Sequence, residues 1–330
     1  EQLRKADILE YADFCWQPPV AWICTANHEK FVFRNGHYTQ NPLWAPFKLQ
    51  LPKKTLEEQL PDKKKYKPSQ QTLMATFTAV IAFYKYLMNE EYLYGNPAQI
   101  AKPDCRHFIK DAQVKEVRRL SESQWQYVFN VALELADQDR TYERSLFVIT
   151  AMKTLFLRVS ELSERPNWTP VMSHFWQDSD GNWWLKIFGK GRKLRDITVP
   201  NSFIDYLKRY RQFRGLSPLP SSGENHPIVE KIRGQGGMTS RQLIRIVQNV
   251  FDMAYDKMKQ AEGEDNARKL KEASSHWLRH TGASMEVERG RALKDLSADL
   301  GHSSMATTDT VYVQTENRVR AESGKNRKVN

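Results

Sequence analysis

The sequence predicts a mainly α-helical chain with a small antiparallel β-sheet, divided into two domains. Three observations lead there. Apolar residues recur at helical spacing in several separate stretches of the 330-residue chain. The period changes clearly once, across residues 174–200, and a stretch near 101–120 loses apolar periodicity altogether. With 40% hydrophobic content, the chain can build a sizeable core and more than one domain.

Residues 1–60 read as an N-terminal extension rich in aromatics and proline, with little clean periodicity. Cys15-Trp16-Gln17-Pro18-Pro19 breaks an initial helical stretch. FVFRNGHYTQ, residues 31–40, predicts a short hairpin around Asn35-Gly36. A basic lead-in, Lys63, Lys64, Lys65 and Lys67, precedes a helix with Ser69 at its N-cap. Leu73, Phe77, Val80, Ile81, Tyr84 and Leu87 then repeat at helical spacing until Gly95-Asn96-Pro97. These elements define a helical domain over 61–110, taking in part of 1–60.

Residues 111–120 are assigned as a linker, within a region of charges and Pro103. A second domain over 121–316 opens on a capping box, Ser121 with Gln124. Helical patterns run to about 138 and from about 141 to 158. HFWQDSDGNWWLKIFGKGRKLRDITVP, residues 174–200, alternates as a small antiparallel sheet turned at Asp180-Gly181 and Gly189-Lys190-Gly191. Helices resume over 201–214, 239–259 (with Thr239 and Gln242 as a second box) and about 275–290. Residues 317–330 form a basic tail.

Lysine and arginine number 50 against 39 acidic residues, a formal net charge of +11. That balance favours a polyanionic partner through phosphate neutralisation and counterion release. The three cysteines form no CxxC pair, which argues against a disulfide framework or a zinc ribbon and fits a reducing cytoplasm. No apolar run approaches a membrane span and no secretory leader is legible. The chain opens on Glu1 rather than methionine, so the natural start is expected upstream.

Three chemistries compete for SSHWLRHTGAS, residues 274–284. His276 and His280 have metal-ligand spacing, but Trp277 stands where a zinc-protease helix carries its glutamate. Nucleotide binding lacks a Walker sequence, and Gly189-Lys190-Gly191 sits in a hairpin. Metal-free phosphoryl transfer needs guanidinium forks for the charge on the non-bridging oxygens, a nucleophile, and a proton donor for the leaving oxygen. Candidates exist for each. Arg158 closes an apolar helical run with Glu161 three residues on. Lys190 sits at a hairpin tip, His276 and Arg279 share a helix face, His302 follows Gly301, and TTDTVY ends in Tyr312. Alone, each is most often an ordinary surface feature.

Their order resembles the tyrosine recombinase (phage integrase) family. The resemblance runs from Arg158 to Tyr312: an arginine in LR-x-SEL, a lysine in GKG-x-K, H-x-x-RHT, then LGHSS followed by TT and a tyrosine. The helical segment 68–100 is similar to the family's core-binding domain. The resemblance implies a two-domain C-clamp, a helical core-binding domain plus a mixed α/β catalytic domain, closed around duplex DNA. It implies Tyr312 as nucleophile, forming a 3′-phosphotyrosyl link without ATP, metal or other cofactor. Arg158 and Arg279 would clamp the non-bridging oxygens and Lys190 would protonate the leaving 5′-oxygen. His276 and His302 would bind phosphate or assist proton transfer, Glu161 would orient, and His280 would be a buried, satisfied support. Lys63, Lys64, Lys65, Lys67, Arg192 and Lys193 are candidate DNA contacts.

The chain departs from the family pattern in four places, the first being the aromatic segment 1–60, which goes beyond the minimal form expected of Xer-type recombinases. Phe156 replaces the glycine usual before Leu-Arg, the gap from His302 to Tyr312 is one residue longer than is commonest, and the stretch SERPNWTPVMSHF between Glu161 and the sheet is long and tryptophan-bearing.

The implied task is integration or excision of a mobile element or phage by four protomers on two double-stranded DNA sites. Accessory DNA-bending or directionality proteins would assist, in a bacterial cytoplasm at the nucleoid. Resolution of dimers or cointegrates in the Xer manner is the alternative. A type IB topoisomerase-like enzyme and a non-catalytic DNA-binding regulator carry less weight.

Overall fold

Helix α1, Lys5–Trp16, buries Ile8, Ala12 and Cys15 on one face. In the computed structural model, which describes residues 3–49, 62–108, 118–189, 193–302 and 325, that face is part of a core shared with later helices. Strand β1, Ile23–Cys24, pairs in parallel with a short strand further on. The predicted hairpin is present: β2, Phe31–Arg34, pairs antiparallel with β3, His37–Gln40, around Asn35 and Gly36, which both take positive φ. That geometry suits the Asn-Gly turn. Strand β4, Phe47–Lys48, closes on β1.

Lys63–Lys65 form one 3₁₀ turn leading to α2, Gln70–Asn89, whose N-cap Ser69 accepts from the Thr72 N–H at 3.1 Å. Helix α3, Pro97–Ala101, is capped by Asn96, whose side chain also donates to the Ile81 carbonyl. Leu73, Phe77 and Tyr84 of α2 pack with the buried face of α1 and with Ala98, Ala101 and Cys105. The start of the expected charged, aperiodic linker region is therefore core. Ala101 is buried at the end of α3, and Cys105 is folded inward by the short 3₁₀ turn Lys102–Asp104 that follows. The chain divides into two compact units, 1–113 and 114–330.

The second unit begins before its first helix, with Leu120 fully buried and its N–H bonded to the Thr281 hydroxyl at 2.9 Å. Residues 118–120 thus belong to this fold, although 111–120 were expected to be linker. Helix α4, Glu122–Gln138, starts on the Ser121–Gln124 box. Helix α5, Glu143–Thr154, is the central element, buried along nearly its whole length. Helix α6 is one turn, Val159–Leu162. Strands β5, Phe175–Gln177, β6, Trp183–Phe188, and β7, Leu194–Val199, form the expected antiparallel sheet in the order β5-β6-β7.

Helices α7, Asn201–Phe213, and α8, Ser240–Glu262, follow, the latter opening on the Thr239–Gln242 box. Then come α9, Glu264–Glu272, α10, Ser275–Glu288, and α11, Leu293–Leu300. Helices α4, α7, α8 and α10 all pack on α5. Gly282 lets α10 approach: a Cβ there would lie 1.9 Å from the Lys153 carbonyl oxygen. Among the described residues no helix is long and apolar enough to cross a membrane.

Candidate phosphate-binding site

The expected helical run to Arg158 is corrected by the structure. Helix α5 stops at Thr154, and the chain reverses through Phe156 at φ 51°. Leu155 and Leu157 are fully buried, so the apolar run continues in sequence after the helix has ended. The reversal leaves Arg158 extended, at the N-cap of α6. From there its N–H donates to Glu161 Oε2 at 2.8 Å and its guanidinium Nη1 to Glu161 Oε1 at 3.0 Å. Glu161 therefore meets Arg158 by capping, not by sharing a helix face.

Glu161 is 1% exposed and serves three guanidiniums. Arg195 Nη1 donates to its Oε1 at 2.8 Å, and Arg279 Nη1 lies 3.9 Å from its Oε2. Burial alone would raise this carboxyl's pKa; the hydrogen bond and charge of Arg195, the Arg158 N–H and the charge of Arg279 outweigh it and hold the pKa below the usual value. A buried carboxylate is tolerable here because it is charge-paired and hydrogen-bonded on both oxygens.

Arg279 is 2% exposed on α10. Its Nη1 donates to the Phe156 carbonyl and its Nη2 to the Leu300 carbonyl, both at 2.6 Å. It thereby staples the reversal after α5 to the C-terminus of α11, where unpaired carbonyls favour a cation. His302 Nε2 lies 3.4 Å from Arg279 Nη2. Gly301, at φ 63°, and His302 end α11 in a Schellman motif, their N–H groups reaching Ala298 and Ser297. The glycine before His302 is thus a helix stop that fixes the histidine's position.

His276 and His280 pack their rings edge to face at 4.5 Å, His276 exposed and His280 half-buried. All three histidines titrate below the ordinary value. For His276 the causes are the protein packed around it and then Arg279 and Arg158. His280 is pushed down to about 4, by burial first and then by His276 and Arg279. His302 also falls to about 4, by burial first and then by Arg279, Arg158 and Arg195. The expectation of a satisfied His280 is not met. Its buried Nδ1 has no hydrogen-bond partner among the described residues, since the ring faces another ring rather than a carbonyl. Nor do His276 and His280 gain a third candidate metal ligand among the described residues.

Lys190, Arg192 and Tyr312 lie outside the described residues. The base of the hairpin that carries Lys190 is present, with the Gly189 N–H donating to the Lys193 carbonyl at 2.9 Å. Lys193, Lys64, Lys65 and Lys67 are exposed and Lys63 is half-buried. Sequence reading missed Arg195 and Asp299. Asp299, buried on α11, accepts from the Thr198 N–H and hydroxyl and from Arg291 Nη2, and so docks α11 on β7. Its backbone carbonyl accepts from Arg195 Nε at 3.0 Å. In sequence Arg195 was one more basic residue in a strand, with no spacing signal to distinguish it.

Three guanidiniums around one shared carboxylate leave excess positive charge beside neutral imidazoles, a setting for an anionic tetrahedral group. No protein-family model matches the chain. Among curated proteins, the tyrosine recombinase XerC of Chlorobaculum parvum is 25% identical over 256 residues, covering 73% of this chain and 68% of that protein. Among solved structures, the Tn1549 transposon integrase in complex with a circular-intermediate DNA aligns with a TM-score of 0.51 at 18% identity, covering 78% of this chain and 80% of that one. The XerH site-specific recombinase bound to palindromic difH substrate aligns at 0.46 and 17% identity, over 69% of this chain and 65% of that one, so this chain spans just under two thirds of it. The ordered motifs and the sequence similarity to XerC point the same way, towards the tyrosine recombinases, and the chain shares the fold of the Tn1549 transposon integrase.

Proposed function

We propose that this protein is a site-specific DNA recombinase that cleaves and rejoins strands through a 3′-phosphotyrosyl intermediate. The observation that carries the reading is the buried Glu161 carboxylate holding Arg158 within hydrogen-bond distance, with Arg279 alongside and His302 next to Arg279. Paired guanidiniums match the non-bridging oxygens of a phosphodiester and stabilise the charge that builds on them during attack.

In this reading the Tyr312 phenolic oxygen attacks the scissile phosphorus. The bond to the 5′-oxygen breaks, and that oxygen takes a proton from Lys190 and leaves as a hydroxyl. Religation reverses the path, so the phosphodiester energy is kept in the phosphotyrosyl bond. Arg158 and Arg279 clamp the phosphate and Glu161 orients them. His276 and His302, neutral at pH 7, bind phosphate or relay the tyrosine proton. His280 supports α10. Lys63, Lys64, Lys65, Lys67, Arg192 and Lys193 neutralise flanking phosphates. The protein acts on duplex DNA as a tetramer on two sites, assisted by DNA-bending or directionality proteins, at the bacterial nucleoid. Its domains are a core-binding domain over 61–110 with part of 1–60, a linker that ends before residue 118, and a catalytic domain that takes in 118–120 and runs to 316.

The test is trapping on nicked suicide duplexes, which lose the short strand needed for religation. The wild-type chain is expected to accumulate covalent protein–DNA and Tyr312→Phe none; trapping by the variant would remove Tyr312 as nucleophile. Arg158→Ala or Arg279→Ala should lower cleavage far more than DNA affinity, and equal losses in both would reduce these arginines to DNA positioning. Integration or excision of a mobile element is the proposed task. Resolution is the second reading, favoured by the XerC similarity, and plasmids with directly repeated sites against separate donor and target DNAs separate the two.

A further inference from the structure

We propose that Arg195 is a positioning residue of the phosphate site, registering the arginine clamp against both the hairpin that carries Lys190 and the helix that ends at His302. The inference rests on the recombinase reading above. Arg195 lies on β7, the return strand of that hairpin, and its two bonds run to different elements. Nη1 reaches Glu161 Oε1 at 2.8 Å, the same oxygen that Arg158 Nη1 reaches at 3.0 Å, and Nε reaches the Asp299 carbonyl on α11 at 3.0 Å. One rigid guanidinium thus ties three pieces of the site together.

The surroundings are shaped to that side chain. A Cβ at Gly189 would stand 2.6 Å from Arg195 Nη1, and one at Gly301 would stand 2.7 Å from its Cδ. These glycines come from the hairpin base and the stop before His302, the two features that Arg195 joins. Arg195 Nη2 is buried without a hydrogen-bond partner among the described residues, a cost that a merely stabilising ion pair would not need. Lysine cannot replace this arrangement, because a single ammonium does not span both acceptors as a planar fork does.

The experiment uses the full chain with nicked duplexes selected by binding to it from a random-sequence pool. Covalent-complex formation is followed in single turnover with either an ordinary phosphate or a methylphosphonate at the scissile position. The methylphosphonate lacks the charge that the clamp stabilises. Arg195→Ala is expected to slow cleavage of the phosphate on the order of 10²-fold, the scale of losing one preorganised donor, with little change in DNA affinity. Its deficit on the methylphosphonate should shrink to under about tenfold. Arg195→Lys should remain defective on the phosphate.

Gly189→Ala keeps every charge while crowding Arg195 and should show the same pattern, which covers the case of an Ala variant that folds poorly. An Arg195→Ala chain that cleaves the phosphate like wild type overturns the proposal, as does an equal deficit on both substrates. A wild-type chain that forms no covalent DNA overturns the recombinase reading and this inference with it.

Discussion

At φ 51° Phe156 holds a left-handed backbone conformation that costs a non-glycine residue about 1–2 kcal/mol. The resemblance expects glycine there, and the positive φ supplies the physical reason. The phenyl ring offsets the cost. It is buried with Ala283, Leu296 and Leu300, and the Arg291 guanidinium lies over it at 5.9 Å. Truncating a buried Phe to Ala costs about 3–5 kcal/mol, so the ring wins over the strain. Urea denaturation is expected to rank wild type above Phe156→Gly, and Phe156→Gly above Phe156→Ala. If the alanine variant equals or exceeds the glycine variant, the backbone at this position carries no strain. Glu161→Gln removes a buried charge shared by several arginines and should destabilise the chain by about 3–5 kcal/mol, because the buried Arg195 and Arg279 guanidiniums lose the negative charge that offsets theirs. Denaturation of that variant beside wild type measures it.

Elements whose ends are set by local chemistry were legible in the sequence. Ser69, the Ser121–Gln124 and Thr239–Gln242 boxes and the Asn35-Gly36 turn all sit where capping and turn rules place them. Elements set by tertiary packing were not. The apolar periodicity of α5 runs on through Leu157, and only the buried reversal at Phe156 shows that the helix has stopped. The motif residues Arg158, Glu161, Arg279 and His302 were legible as candidates, while Arg195 and Asp299 were not, because their partners are distant in sequence. Helix α10 carries the most site residues and depends on Gly282. Gly282→Ala should cost about 1–3 kcal/mol by overpacking against α5 and shift α10 outward. Cleavage should fall with stability, read by thermal melting beside the trapping assay; a variant that melts and cleaves like wild type would show that α10 does not need this close approach.

On the scale of the whole molecule, the site makes the second unit sensitive to acid. His280 and His302 titrate near 4 in the folded chain against an ordinary value near 6.5, and His276 is also lowered. Between those values the unfolded chain binds protons that the folded chain refuses, so stability falls as pH drops from about 6.5 toward 4. Glu161, whose folded pKa is depressed, adds a second loss as pH falls below its ordinary value of 4.5. Melting temperature should therefore decline steadily from neutral pH to 4, and His280→Phe should flatten the upper part of that decline. An unchanged slope in the variant would mean that His280 titrates normally.

The first unit carries all three of the chain's cysteines, Cys15, Cys24 and Cys105, each a buried free thiol. Burial pushes the Cys15 and Cys105 thiols up, which slows the thiolate chemistry that a dye requires. The second unit holds none, so a thiol-reactive dye is blind to it. Labelling kinetics thus clock the opening of the first unit while the second stays silent. Added DNA that slows the clock would report engagement of the first unit without any tag or engineered probe.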